Sequence, residues 1–306
     1  MLIHIGYHKT GTSYLQRYLF FQDPPVDFVA PWTVISGEAI EYFVLTHPAR
    51  FNPEAVRAAF ESKLADKKTR LVPVISHEDL CGVPMLARYY GFQVAERLHQ
   101  TFPDAKILIT VREQKSALRS IFGQYVRQDG EWPIQTFLGT GNEPPGFAPI
   151  CRLDHLEYDL LASHYARLFG DSQVLVLPYE LLPKNPIEFQ QCIHDFAGTS
   201  ATAHAKFERE LAGLGAYSLK LMRRLNKFIR QPPDWHGDWS RNPALLRAKI
   251  KLCNIVDSIL PSSWHKPEHN RLVSFIEKRT AGYYKASNNR LQEFTKFDLK
   301  SYGYDL

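Results

Sequence analysis

The stretch HIGYHKTGTSYLQ, residues 4–16, sets the fold at the start of the chain. Residues 2–5 have the pattern of a buried strand, and the helix that follows presents apolar side chains at i, i+3 and i+4 spacing. Between strand and helix stand one lysine, three Ser or Thr hydroxyls and a glycine that permits a tight turn. The stretch therefore predicts a β-loop-α unit whose loop binds an anion, because the start of a helix offers free N–H groups and a positive dipole end.

Further along, short apolar segments alternate with helical patterns. The predicted strands are residues 2–5, 70–76, 106–111 and 173–177. The predicted helices begin near residues 12, 53, 93, 116 and 185. Apolar strands joined by helices form a parallel sheet that is covered on both faces. We expect an α/β fold of P-loop-like, three-layer α/β/α architecture, with one domain over residues 1–306 and a helical C-terminal part from about residue 200.

One segment interrupts this alternation. Residues 129–150 contain four glycines and four prolines and carry no regular apolar pattern. A loop of this length is either a wall or lid of a substrate site or a mobile excursion on the surface. Both interpretations stay open, and the segment is a candidate substrate loop.

Composition limits the classes of function. The chain has 306 residues, of which 44% are hydrophobic and 23% are charged, as in a soluble globular protein. A net charge of +5 suits an anionic ligand and is too small to indicate nucleic-acid binding. The four cysteines are far apart and form no C-x-x-C pair, which predicts neither a structural metal site nor a disulfide framework. With no apolar run long enough to span a membrane and no export signal, we expect a cytoplasmic protein.

The order of residues in the first loop distinguishes it from the P-loop of nucleotide triphosphatases. That motif reads G-x-x-x-x-G-K-[ST], with the lysine after the glycine and a hydroxyl that holds magnesium. Here Lys9 precedes Gly11. Taken alone, K-T-G-T-S is also compatible with a plain glycine-containing helix start.

The sequence HKTGTSY directly after a first strand resembles the phosphosulfate-binding loop of the sulfotransferase family, whose common form is Y-P-K-[ST]-G-T-T. His8 stands where proline is usual. The resemblance implies the cofactor 3′-phosphoadenosine 5′-phosphosulfate (PAPS), no metal, and a cofactor-binding loop of His8, Lys9, Thr10, Gly11, Thr12 and Ser13.

Two further stretches extend the resemblance. ITVREQKSALRSIFGQY, residues 109–125, has an arginine at a strand end and a serine eight residues later, and in the family this pair holds the 3′-phosphate of PAPS. That implies Arg112 and Ser120. VLVLPYELL, residues 174–182, resembles the strand before Y-E-[DE]-[LM]. By this resemblance Tyr179 packs beside the adenine, as does Tyr14, whereas Glu180 has a structural role.

The resemblance also implies a general base for the acceptor. The second predicted strand ends in VISHEDL, residues 74–80, and Glu78 aligns with the base of family members. His77 is the alternative, because its ordinary pKa of about 6.5 suits proton transfer. Side chains alternate along a strand, so His77 and Glu78 are expected to point in opposite directions. A third interpretation is that both are solvated loop residues with no catalytic role. Lys9 is expected to stabilise the oxygen that leaves.

Together these features predict a PAPS-dependent sulfotransferase that transfers a sulfuryl group to a hydroxyl or amine of a glycan or small-molecule acceptor. Two alternatives remain at this point. One is a P-loop kinase-like phosphotransferase, and the other is a non-catalytic nucleotide-binding protein of the same fold. No sequence feature selects the acceptor or the oligomeric state.

Overall fold

The computed structural model describes residues 1–34, 36–65, 71–199, 214–228 and 243–306. Its centre is a parallel five-stranded sheet with the strand order β2-β3-β1-β4-β5. The strands are β1 (Leu2–His4), β2 (Phe28–Val29), β3 (Val72–Ser76), β4 (Lys106–Val111) and β5 (Val174–Pro178).

Thirteen α-helices are described in those ranges. The helices that precede β5 are α1 (Thr12–Leu15), α2 (Glu38–Ile40), α3 (Pro53–Ala65), α4 (Gly91–Thr101), α5 (Gln114–Arg127), α6 (Ile134–Leu138) and α7 (Tyr158–Phe169). Those that follow it are α8 (Leu181–Lys184), α9 (Pro186–Ala197), α10 (Ala216–Phe228), α11 (Pro243–Ile259), α12 (Ser262–Thr280) and α13 (Lys285–Leu291). A π-helical turn, Gln16–Phe20, continues α1.

Strand β1 lies at the centre of the sheet. Its Ile3 pairs with Ile75 of β3 on one side and with Ile107 of β4 on the other. Strand β3 therefore lies on one side of β1, and β4 and β5 lie on the other, so the direction in which strands are added to the sheet reverses at β1. In an open parallel sheet, such a reversal leaves a crevice at the carboxyl ends of the strands.

The two faces of the sheet are covered by separate apolar cores. Because side chains alternate along a strand, Ile3 enters one core and Leu2 the other. The core on the Ile3 side also takes in buried side chains of the C-terminal helices, Leu219, Met222, Cys253, Leu272 and Ile276. Burial of these side chains holds α10 and α12 against α5, and α11 against α10, since apolar burial is the main stabilising term in folding.

The α/β fold with a central parallel sheet and flanking helices is confirmed. Strand β4 has the predicted bounds, and β3 begins at Val72, with residue 70 lying outside the described residues. Strand β2 was not predicted, because two residues are too few for an apolar pattern to be recognised, and α7 was also missed. The C-terminal part is helical from Ala216, and residues 200–213 lie outside the described residues.

Residues 129–150 contain the short helix α6 and attach to the C-terminal helices. Asn226 donates a hydrogen bond of 3.0 Å to the carbonyl of Gly130, and Arg279 donates one of 3.2 Å to that of Gly139. The role of this segment in substrate binding and the extent of the single domain stay predictions.

Candidate active site

The loop between β1 and α1 adopts a conformation that its glycine makes possible. Gly11 has a φ of +87°, and a Cβ at that position would lie 3.0 Å from Leu182 and 3.2 Å from Tyr179. A residue with a side chain would therefore be strained and crowded. Lys9 is also left-handed, with a φ of +70°, which is uncommon outside glycine and is found at functional sites.

The three hydroxyls of the loop have different environments. Thr10 is fully buried and bonds the Tyr7 carbonyl and the Thr110 hydroxyl, the latter at 2.7 Å, so its side chain holds the loop together. Thr12 Oγ1 is buried, yet has no hydrogen-bond partner in the described part of the chain. Ser13 is exposed. A buried hydroxyl without a partner is costly, so Thr12 fits a site that a polar ligand completes.

His8 ties this loop to the chain that follows β3. Its Nε2 donates to the carbonyl of Gly82 at 3.0 Å and lies 3.3 Å from Asp79 Oδ1. Burial lowers the pKa of His8, against the opposing effect of Asp79. The ring thus braces the loop.

Arg112 connects the loops that follow three strands. Its guanidinium donates to the Lys9 carbonyl at 3.1 Å and to Ser116 Oγ at 2.7 and 3.0 Å, and it lies 4.9 Å from the centre of the Tyr179 ring. These contacts hold the guanidinium in place at the carboxyl edge of the sheet. A planar, forked cation in that position suits the binding of a phosphate group. Ser116 was missed in the sequence, although its spacing of four residues from Arg112 is the available signal.

One face of α5 extends this edge into a wall. Ser120, one turn beyond Ser116, lies on that face. The cavity-lining residues of α5 recur at helical spacing, and they are Arg119, Ser120, Gly123, Gln124 and Arg127.

The two candidates for the general base are in different environments. His77 Nδ1 accepts a hydrogen bond of 3.1 Å from the Asp79 backbone N–H, so its buried side chain caps the turn after β3. Glu78 lines the cavity, and its Oε2 lies 3.4 Å from Gln16 Nε2. His77 is not among the described residues that line this cavity. The geometry favours Glu78, and its role stays a prediction.

The aromatic candidates both line the cavity, but Tyr14 is mostly core. The Tyr14 ring is 3% exposed, and its hydroxyl accepts a hydrogen bond of 2.6 Å from Gln190. Tyr179 is half-buried under Arg112. Glu180 accepts hydrogen bonds from the Glu113 N–H at 2.9 Å and the Tyr304 hydroxyl at 3.3 Å, contacts that fit the structural role expected of it.

These residues surround a cavity of about 660 Å³. Its lining includes His8, Lys9, Gly11, Thr12, Ser13, Tyr14, Glu78, Arg112, Ser120 and Tyr179 among the predicted site residues. Thr10 and His77 support the site from outside this lining. The opposite wall was not predicted, and it consists of Leu214, Gly215, Ala216, Leu219, Leu246, Ile250, His269 and Leu272.

The cavity is electropositive. Burial lowers the pKa of Lys9, and the nearby charges of Arg127 and Arg112 lower it further, while Glu78 raises it. Like charges this close indicate a site that is completed by an anion. The described residues contain no cluster of three or more His, Cys, Asp or Glu side chains placed to hold a metal ion, and none of their helices is long and apolar enough to cross a membrane.

A model of the sulfotransferase family matches residues 2–203. A solved structure of a sulfotransferase from Alicyclobacillus acidocaldarius is similar, with 22% sequence identity and a TM-score of 0.48 over 76% of this chain and 96% of that one. No curated protein matches the chain.

Proposed function

Because the chain belongs to the sulfotransferase family, we propose that it is a PAPS-dependent enzyme that sulfates a hydroxyl or amine of a small-molecule or glycan acceptor. The proposal rests on one observation above all. Lys9, Thr12, Arg112 and Glu78, which follow three different strands, line a single cavity at the carboxyl edge of the sheet.

The loop and α5 offer what a bisphosphorylated nucleotide needs. Lys9, the partnerless hydroxyl of Thr12 and the start of α1 would hold the 5′ end of the donor, and Arg112 with Ser120 would hold its 3′-phosphate. Tyr179 would flank the adenine. When bound, PAPS supplies the sulfuryl group and leaves as 3′-phosphoadenosine 5′-phosphate (PAP), with the electron pair of the broken S–O bond on its 5′-phosphate.

Two side chains would move or stabilise charge during transfer. Glu78 would accept the proton of the acceptor hydroxyl, whose oxygen forms the new S–O bond. Lys9 would donate a hydrogen bond to the oxygen on which negative charge develops. Most of the remaining rate enhancement would come from positioning in a cavity of suitable size, since small-molecule sites span about 300–1,000 Å³.

The four cysteines are free and buried, which supports a reducing, cytoplasmic compartment.

Calorimetric titration with PAP tests the donor assignment. We expect PAP to bind without metal, and Arg112→Ala to weaken binding by about 1.5–3 kcal/mol, because a charged hydrogen-bonding contact is lost. Arg224→Ala, at an exposed position outside the cavity lining, is the matched control and should bind as the wild type does. ATP with magnesium is the competing ligand. Tight ATP binding together with no PAP binding would overturn the proposal in favour of a phosphotransferase.

A further inference from the structure

A second cavity adjoins the two chain segments that carry Lys9 and Glu78. It has a volume of about 220 Å³ and lies at the first turns of α4 and α7. Tyr7, directly before His8, and Cys81 both line it. The Cys81 thiol also donates a hydrogen bond of 3.1 Å to the carbonyl of Glu78. Among the described residues the two cavities share no lining residue, so the second cavity is separate from the candidate active site.

The lining of the second cavity is mainly aromatic and aliphatic. The rings of Tyr7 and Tyr89 have their centres 5.2 and 5.3 Å from that of His155. Phe92 of α4 and Leu160 of α7 also line the cavity, and they are 50% and 43% exposed although both are large and apolar. A ligand that covers these two side chains would gain free energy from apolar burial. Because an apolar cavity of about 150 Å³ is enough for benzene, the volume suits one aromatic ring with a small substituent.

One polar atom of this lining residue set has no partner. His155 Nε2 is buried and makes no hydrogen bond in the described part of the chain. Burial lowers the pKa of His155 to about 3, so the ring is neutral. A neutral imidazole nitrogen accepts or donates a hydrogen bond according to its tautomer, and a hydroxyl group can pair with either form. Since a buried polar atom without a partner is costly, a ligand hydroxyl would stabilise this position.

The charged side chains of the second cavity are already paired. Arg152 Nε donates a hydrogen bond of 3.0 Å to Asp154 Oδ1, and Glu157 is hydrogen-bonded to Tyr283. The described lining contains no other charged side chain. The cavity therefore offers no free charge to a ligand, which favours a neutral compound over an anion or a cation.

We propose that the second cavity binds a small, neutral aromatic compound that carries a hydroxyl group. The ring packs among Tyr7, Phe92 and Leu160, and the hydroxyl group forms a hydrogen bond with His155 Nε2. This inference goes beyond the proposed function, because the lining includes neither the donor-binding residues nor the candidate base. A compound bound there contacts the segments before His8 and after Glu78 without entering the active-site cavity.

Three probes test the chemistry of the ligand. 4-Ethylphenol has the ring and the hydroxyl group, ethylbenzene lacks the hydroxyl group, and 4-ethylbenzoate replaces it with a charge. Each is titrated by calorimetry into the wild-type protein without PAP. We expect 4-ethylphenol to bind at least about fivefold more tightly than ethylbenzene, and 4-ethylbenzoate to bind more weakly than 4-ethylphenol. Absence of 4-ethylphenol binding, or equal binding of all three probes, would overturn the inference.

Four variants locate the binding. His155→Phe should remove the preference for 4-ethylphenol over ethylbenzene, and Phe92→Ala should weaken both probes. Phe147→Ala is the matched control, since Phe147 is also 50% exposed and lies outside both described linings. Leu246→Ala alters the active-site cavity and should leave both probes unaffected. Weakening by Leu246→Ala but not by Phe92→Ala would overturn the inference by assigning the probes to the active-site cavity. PAP binding, titrated separately, tests the proposed function alone.

Discussion

Gln16 Nε2 lies 3.4 Å from Glu78 Oε2 and 3.2 Å from the carbonyl of Ser76. The side chain that opens the π-helical turn after α1 therefore reaches across to the end of β3 and contacts the candidate base. The loop that would hold the donor and the group that would activate the acceptor are joined by this single amide, which positions the carboxylate without touching the reacting atoms.

Replacing Gln16 by leucine should slow turnover about 5- to 10-fold, since a long hydrogen bond to a carboxylate contributes about 1 kcal/mol. The effect should vanish in a Glu78→Gln background, because the amide would then have no carboxylate to position. A double-mutant cycle on kcat measures this. Gln22→Leu, which removes a 2.8 Å contact to Tyr18 nearby, is the control. Additive effects of the Gln16 and Glu78 substitutions would contradict the positioning role.

Glu78→Gln should reduce kcat by about 10²- to 10⁴-fold while leaving PAP binding intact, as expected for loss of a general base. His77→Gln should retain kcat within a few-fold, and should lower the free energy of unfolding by about 1 kcal/mol because the cap on the Asp79 N–H is weakened. Steady-state kinetics and denaturant unfolding of both variants distinguish the two residues. A larger kinetic loss in the His77 variant would reverse the assignment.

Lys9 should couple donor binding to proton uptake. Its pKa is lowered by burial and by Arg127 and Arg112, so on raising the pH it loses its charge earlier than an exposed lysine does. Bound phosphates favour the charged form. PAP affinity should therefore fall as the pH rises through the lowered pKa, and binding at a pH where Lys9 of the free protein is partly deprotonated should take up as much as one proton.

Calorimetry in two buffers of different ionisation enthalpy measures that uptake. Lys9→Arg should eliminate it, because arginine stays protonated. Lys227→Arg, at an exposed position, should retain it. Undiminished uptake in Lys9→Arg would show that a different group titrates.

His4 makes folding stability depend on pH. Its ring is fully buried between Ser76 at 2.8 Å and Thr110 at 3.2 Å, and burial lowers its pKa to about 3. An unfolded histidine titrates near pH ~6.5, so the unfolded chain binds more protons between these two values. The free energy of unfolding should fall as the pH drops below about 6.5, with His4 contributing up to about 1.4 kcal/mol per unit.

Urea unfolding at a series of pH values measures this slope. His4→Gln should make it shallower by up to one proton equivalent, whereas substitution of the exposed His47 by glutamine should leave it unchanged. A slope that His4→Gln does not alter would mean that the ring is protonated in the folded protein.

Local sequence patterns predicted the strands, turns and helix starts whose conformation depends on residues adjacent in the chain. The strand, loop and helix start around Lys9 and Gly11 follow from apolar spacing and turn chemistry, and so do the bounds of β4. Lining of the cavity by Arg112 and Ser120 agrees with motifs that place them on one strand end and the next helix.

Contacts between distant segments could not be predicted in this way. Gln16 and Glu78 are 62 residues apart in the chain, and no local residue pattern predicts that their side chains meet. The largely aliphatic wall opposite the donor loop depends on packing of α10 and α12 against α5, far earlier in the chain, and of α11 against α10. Aliphatic residues at helical spacing look the same in sequence whether they line a cavity or fill a core.

Helix α5 serves both ends of the cavity, with Ser116 and Ser120 towards the sheet and Gly123 and Arg127 towards the C-terminal helices. The two ends of the cavity share α5, and the other segments that line them come from different stretches of sequence. Substitutions in α10, α11 or the last turns of α5 therefore change the lining at one end of the cavity and leave the residues of the other end as they are. For protein engineering, the cavity is thus a scaffold whose two ends can be varied separately.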